Sequence, residues 1–216
     1  MTTIHVVTHP QAQHHVDGLV GGWYDSGLTT LGRTQAAAIA EELARRTDPR
    51  ARRGVGVISS DLARAHQAAT IIAERLGSEL RLDADLREKS YGEAEGRPKA
   101  WLQERQIPLP DRGERLDHDE GIPGAETRLQ LATRAYAAME RLLASPADTH
   151  VVVTHGGTAT LLLAAWIEMP LAAAGRVQFG LSSGGITTLR KNPRNHSHMI
   201  EQLNDTTHLE GVTAHG

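Results

Sequence analysis

Cysteine is absent from the 216 residues, which excludes disulfides, thiolate zinc sites and a cysteine nucleophile, though it fixes no redox compartment. Lysine is scarce as well: Lys89, Lys99 and Lys191 are the only ones, and the other cations are arginines. No stretch approaches the roughly 20 consecutive apolar residues of a membrane helix, so no membrane partner is expected. A surplus of either charge is also missing. Lys+Arg 23 against Asp+Glu 26 leaves −3, which gives nucleic acid and anionic lipid no general attraction and confines any anion to a local site. The opening MTTIHVVTHP has neither the basic region nor the long apolar core of a secretory leader, so a soluble, cytoplasmic protein is expected.

What the chain does have is an alternation of apolar strands and one-sided helices. Ile4 to Val7 is a β-branched run that stops at Thr8-His9-Pro10, where proline forbids both helix continuation and a central ladder position. After the glycine-rich stretch Gly18 to Gly27, Leu28-Thr29-Thr30 reads as an N-cap for a helix from about Leu31 to Arg46. Val55 to Ser59 is a second strand, and Ser60 or Asp61 is placed to cap a helix with Leu62, Ala65, Ala69, Ile72 and Leu76 on one face, ending at Gly77. Lys89 to Gly124, with four prolines among charged residues, reads as a surface excursion. A long helix follows with Leu129, Ala132, Tyr136, Met139 and Leu143 on its stripe. His150 to Thr154 is a valine-rich strand, Leu161 to Ile167 a helix apolar on all sides, and Val177 to Phe179, Gly185 to Leu189 and Met199 to Leu203 are candidate later strands. Continuous apolar strands alternating with helices predict an α/β fold, a mainly parallel central sheet with helices on both faces, over a single domain 1–216. One local echo stands out: Val6-Val7-Thr8-His9 and Val152-Val153-Thr154-His155 both end a strand in Thr-His. Ligands of open parallel sheets bind beyond the carboxyl ends of the strands, so adjacent placement of these two would turn His9 and His155 to one ligand.

The longest patterned stretch is Gly22-Trp23-Tyr24-Asp25-Ser26-Gly27-Leu28-Thr29-Thr30-Leu31-Gly32-Arg33-Thr34-Gln35-Ala36. With Ser60-Asp61-Leu62-Ala63-Arg64-Ala65, Leu86-Arg87-Glu88-Lys89-Ser90-Tyr91-Gly92-Glu93-Ala94-Glu95-Gly96, Thr154-His155-Gly156-Gly157 and the tail Leu203 to Leu209, it resembles the histidine phosphatase superfamily, which includes the phosphoglycerate-mutase-like phosphatases. The resemblance covers almost the whole chain and departs at its centre. Where the family has Arg-His-Gly-Glu-Thr and then an asparagine, this chain has Thr8-His9-Pro10-Gln11-Ala12 and then His15. The nucleophile position is kept; the phosphate-binding arginine, the flexible glycine and the asparagine are not.

A neutral imidazole, with an unperturbed pKa near 6.5, is a nucleophile at neutral pH, and its phosphorylated form hydrolyses readily. His9 fits that role. Phosphoryl transfer is catalysed largely by positioning and positive charge around the equatorial oxygens, which suits Arg64, a protonated His155 and the N–H groups of Gly156-Gly157 at a helix start. Glu88 is the acid by resemblance, then the base toward water; Glu93 and Glu95 are the competing carboxylates. Thr8, His15, Gly22 and Gly156 complete the expected substrate-binding set. Thr8 offers a hydroxyl without charge, and His15 is either a phosphate donor or an exposed loop residue. Trp23 and Tyr24 read as packing residues.

His14-His15 and His196-Ser197-His198 are the close histidine clusters, and neither has carboxylates at a hydrolase spacing, so no metal or other cofactor is expected. The resemblance implies hydrolysis of a small phosphomonoester through phospho-His9, the partner being a small phosphorylated molecule. A mutase is less expected, because the excursion shows no obvious set of additional substrate-binding cations. The rival is a pseudoenzyme or a site repurposed for non-phosphate chemistry, since the residues beside His9 have changed. A charge-assisted hydrogen bond is worth roughly 1.5 to 3 kcal/mol, so the missing arginine predicts weak activity on generic substrates. Substrate identity and oligomeric state are not legible.

Overall fold

The computed structural model describes residues 2–47 and 54–213, so the outermost residues of the expected domain 1–216 lie outside the described residues. Six strands, β1 (Thr3–Thr8), β2 (Val55–Ser59), β3 (Leu80–Leu82), β4 (Thr149–Thr154), β5 (Ile186–Lys191) and β6 (His198–Asp205), form one sheet in the order β3-β2-β4-β1-β5-β6. The first four are parallel; at one edge β5 pairs antiparallel with β1, and β6 antiparallel with β5. The helices are α1 (Gln13–Val16), α2 (Thr30–Arg46), α3 (Ala63–Leu76), α4 (Lys99–Arg105), α5 (Arg128–Ala144) and α6 (Gly156–Trp166).

The unbroken valine runs are explained by burial on both faces. Val7, Val151 and Val153 pack with α2 and α3, whereas Ile4, Val6 and Val152 pack with α5 and α6, as the period-2 alternation of a strand requires. Thr29 caps α2 by accepting the Gly32 N–H at 2.9 Å. The α3 stripe Leu62, Ala65, Ala69, Ile72 and Leu76 is buried throughout, and Gly77 closes the helix in the left-handed region at φ 65°.

Several boundaries differ from the sequence reading. The α3 cap is neither Ser60 nor Asp61 but Leu62; Ser60 Oγ accepts its N–H at 3.3 Å, and Asp25 from the glycine-rich loop accepts the Ala63 N–H at 2.6 Å. On α5 the buried stripe is Leu131, Ala132, Ala135, Ala138, Met139 and Leu142, while Leu143 is exposed. Alanines build the helix contact there, and a stripe drawn through the larger residues slips by one position. Val177–Phe179 is not a strand, and α6 starts at Gly156 rather than Leu161. The excursion includes the helix α4 and shares a small separate core with the glycine-rich stretch: Val20, Ala94 and Ile122, with Tyr91, Trp101 and Leu102 against them.

Candidate active site

The parallel pairing of β1 with β4 puts Thr8 opposite Thr154 at the carboxyl end of the sheet. The next residue on each chain is a histidine, and the His9 N–H donates to the Thr154 carbonyl at 2.9 Å. The two imidazoles meet edge to face, with centroids 5.0 Å apart. They share a cavity of about 300 Å³ whose wall includes Thr8, His15, Gly22, Arg64, Glu88 and Gly156, so the structure brings the whole expected set to one place.

His9 Nδ1 lies 2.8 Å from the Pro10 carbonyl, which can only accept; the neutral ring therefore carries its proton on Nδ1 and a lone pair on Nε2. Proline in place of glycine removes an N–H but keeps this carbonyl, so the tautomer-fixing bond survives the change. Arg64 Nε donates to His9 Nε2 at 3.2 Å. Its two terminal nitrogens donate to the Tyr24 carbonyl at 2.9 Å and the Gly22 carbonyl at 2.6 Å. Burial pulls the guanidinium down to about 10, which leaves it charged at neutral pH. Gly22 has φ +53°, and a β-carbon there would press on the Tyr91 ring at 2.9 Å, so the carbonyl that grips Arg64 is available only from glycine.

His155 is 1 % exposed, and its Nε2 lies 2.9 Å from Ser60 Oγ. Ser60 Oγ also accepts the Leu62 N–H, and the other ring nitrogen of His155, Nδ1, has no partner among the described residues. Burial, then His9 and Arg64, hold His155 well below 6.5. Burial and Arg64 hold His9 well below 6.5 also.

Glu88 is held from several sides. Its Oε2 accepts the Gly157 N–H and its Oε1 the Lys89 N–H, both at 2.9 Å, so Gly157 turns to the carboxylate and leaves the anion-cradling role at the α6 start to Gly156. A β-carbon at Gly157 would overlap Glu88 Oε1. The backbone around Glu88 is pinned by Thr154 Oγ1 to the Leu86 carbonyl (2.7 Å), Thr158 Oγ1 to the Arg87 carbonyl (2.6 Å), and Trp23 Nε1 to the Glu88 carbonyl (2.7 Å). Arg134 of α5 donates to the carbonyls of Asp85, Arg87 and Glu88 and pairs with Glu126. Trp23 is thus a hydrogen-bond donor to the site's loop as well as a packing residue. Glu95, one competing carboxylate, accepts from Ser90 Oγ (2.8 Å) and the Tyr91 N–H (3.0 Å).

The segment after β1 behaves differently. Thr8 donates its hydroxyl to the Ser182 carbonyl, so it fastens the 182–185 loop and has no proton left for a ligand. His15 is not an exposed loop residue: it lies on α1, half-buried, its ring stacked on His9 at 5.4 Å. The sequence reading missed His14, buried between His15 (4.1 Å) and Ser26 Oγ (2.6 Å), and Lys99, which the excursion delivers to the cavity wall. Lys99 is fixed by its backbone N–H to the Gly18 carbonyl (3.0 Å), beside Val20 N–H to the Arg97 carbonyl (2.8 Å). It makes no ion pair with a described residue.

Residues 4–206 match the model of the histidine phosphatase superfamily (branch 1). The chain is 33% identical over 180 residues to a glucosyl-3-phosphoglycerate phosphatase of Mycobacterium tuberculosis, covering 77% of this chain and 76% of that one. It is 30% identical over 214 residues to a probable phosphoglycerate mutase GpmB of Yersinia pestis, covering 97% and 96%. The solved structure of mycobacterial glucosyl-3-phosphoglycerate phosphatase in complex with VO3 superposes with a TM-score of 0.76 at 28% identity, covering 95% of this chain and 100% of that one. Fold, paired strand-end histidines and sequence match agree, and the chain belongs to the histidine phosphatase superfamily.

Proposed function

We propose that the protein hydrolyses a small phosphomonoester through a phosphohistidine on His9. The observation that carries the reading is the pairing of β1 with β4, which sets a lone pair on His9 Nε2 beside Arg64 Nε and within 5.0 Å, ring to ring, of His155. His9 Nε2 attacks phosphorus, the ester P–O bond breaks, and protonated Glu88 gives its proton to the leaving alkoxide. The Glu88 carboxylate then takes a proton from water, which attacks phosphorus, releases inorganic phosphate and returns His9 to its free base. The Nδ1–H bond to the Pro10 carbonyl stabilises the imidazolium character that develops in the first step. Arg64, His155, the Gly156 N–H and His15 hold the phosphoryl oxygens.

A cavity of about 300 Å³ suits a phosphate with a small organic group. Two further readings have an observation behind them. The Thr8 hydroxyl and three of the five N–H donors of Arg64 are engaged by the protein itself, which favours a repurposed binding site. Lys99 in the cavity wall supplies a cation of the kind whose absence from the excursion argued against a mutase, and one relative is named a probable mutase. Release of inorganic phosphate from an aryl phosphate, measured with and without a chelator, tests the proposal. Turnover that persists in chelator and disappears in His9→Ala supports it; turnover that needs added zinc or manganese, or none at all in a folded protein, contradicts it.

A further inference from the structure

The loop just before β5 stands in the wall of the same cavity, with Leu181, Ser182 and Ser183 lining it and both serines exposed. It is fastened to the strand end that leads into His9. The Thr8 N–H donates to the Gly185 carbonyl at 3.2 Å, the Gly184 N–H to the Thr8 carbonyl at 3.0 Å, and Thr8 Oγ1 to the Ser182 carbonyl. From β6, Asn204 Oδ1 accepts the Ser182 N–H at 2.8 Å, which orients the amide, and Nδ2 donates to Ser182 Oγ at 3.0 Å. A β-carbon at Gly185 would overlap Asn204 Oδ1, so only glycine lets this clamp come so close. The Ser182 carbonyl also accepts the Gly185 N–H at 2.9 Å, so its acceptor capacity is used within the protein. The donors are left over. The Ser183 N–H and hydroxyl have no partner among the described residues, and Ser182 Oγ accepts from Asn204 without donating to any of them.

We infer that Ser182 and Ser183 bind the phosphoryl group, supplying as neutral donors the hydrogen bonds that an arginine at position 8 would give. The inference rests on the reading of the cavity as a phosphate site and adds the residues that hold one side of the oxyanion. Thr8 connects the loss to the replacement. Its short hydroxyl reaches the Ser182 carbonyl, so the residue that brings no charge is also the one that seats the loop. Because the loop is bonded to the residue next to the nucleophile, its serines are held on the nucleophile's side of the cavity. Two hydroxyls and one N–H, with the nearest carbonyl turned away onto Thr8 and Gly185, suit the oxygens of an anion. The cavity's carboxylate, Glu88, is bound to the Gly157 and Lys89 N–H groups and does not compete for these donors. Donors fixed before the ligand arrives lose little freedom on binding it. They remain weaker than a guanidinium, which agrees with the weak activity expected on generic substrates.

The experiment is calorimetric titration of the whole protein with inorganic phosphate, alongside kcat/KM on an aryl and an alkyl phosphate and the Tm of each variant. Ser183→Ala is expected to bind phosphate about 3- to 10-fold more weakly and to lose the same factor in kcat/KM on both esters. Its Tm is expected to stay at the wild-type value, because the hydroxyl has no partner in the protein. Ser183→Thr, which keeps a hydroxyl, is expected to retain most of the affinity. Asn204→Gly preserves the left-handed backbone at φ 51° while removing the clamp, and it is expected to lower phosphate affinity and Tm together. Unchanged phosphate affinity in both Ser182→Ala and Ser183→Ala would overturn the inference. So would a loss confined to KM for one ester, which would put the serines on the leaving group. If wild type neither binds inorganic phosphate nor releases it from an aryl phosphate, the reading of the cavity as a phosphate site falls instead. Ser183→Ala decides even where another variant fails to fold.

Discussion

The wall that carries Arg64, Glu88 and His155 and the wall that carries Thr8, His14 and His15 face one cavity, yet they hold their polar groups in opposite ways. In the first, each side chain is fixed by groups from other elements: the Gly22 and Tyr24 carbonyls on Arg64, the Gly157 N–H on Glu88, and the hydroxyl of Ser60, just after β2, on His155. In the second, Thr8 is spent on the Ser182 carbonyl and the remaining groups are imidazoles. The difference teaches that the first wall supplies permanent geometry and charge, whereas the second presents an engaged hydroxyl and imidazoles whose proton affinity burial lowers.

Substitutions rank the two walls. The largest effect falls on the residue between them: His9→Ala lowers kcat on an aryl phosphate by at least about 1,000-fold, read from steady-state phosphate release. Glu88→Gln lowers turnover of an alkyl phosphate on the order of 100-fold and of an aryl phosphate less, because a phenolate leaves without a proton. Gly157→Ala follows the same pattern by displacing Glu88, and so does Arg134→Met, at roughly tenfold, through the loop whose carbonyls it gathers. A leaving-group series that shows no such split in these variants removes Glu88 from its proposed role.

The second wall gives smaller effects. Thr8→Arg brings a permanent cation, and its kcat/KM on a small substrate is expected to rise about tenfold while the Tm falls with loss of the Ser182 bond. Wild-type kcat/KM is expected not to decline from about pH 8 to about pH 6, since His9 is held well below 6.5 and stays a free base through that range. Loss of activity on passing through pH 6.5 would contradict this.

His5 is the control. It lies on the same strand as the approach to His9, 3 % exposed, with Nδ1 on Thr188 Oγ1 at 3.1 Å, and burial and the nearby Arg46 and Arg190 pull it down to about 4. Its folded pKa lies below the unfolded value of about 6.5, so the unfolded chain binds the proton first and stability falls as pH drops from 6.5 toward 4, by roughly 3 kcal/mol in all. Chemical denaturation against pH should show that slope diminished in His5→Gln with turnover unchanged.

The paired histidines were legible in the sequence because a strand ending in Thr-His twice, in two apolar runs of one sheet, needs only parallel neighbours to bring both rings together. Arg64, Glu88 and Gly22 were legible through the family resemblance, not through any spacing. Lys99, His14 and Arg134 were not: each reaches the site or its loop by the way the excursion, α1 and α5 fold back on the sheet, and local pattern carries no trace of that. Val177–Phe179 misled because three residues set no period, and the α5 stripe because its buried positions are mostly alanine.

The most direct test of the phosphohistidine is rapid acid-free quenching of the enzyme with a labelled phosphomonoester, followed by peptide mapping. The account predicts a burst of label on His9, stable to base and lost in mild acid, that is absent from His9→Ala. Turnover with no labelled protein, or turnover retained in His9→Ala, would contradict it.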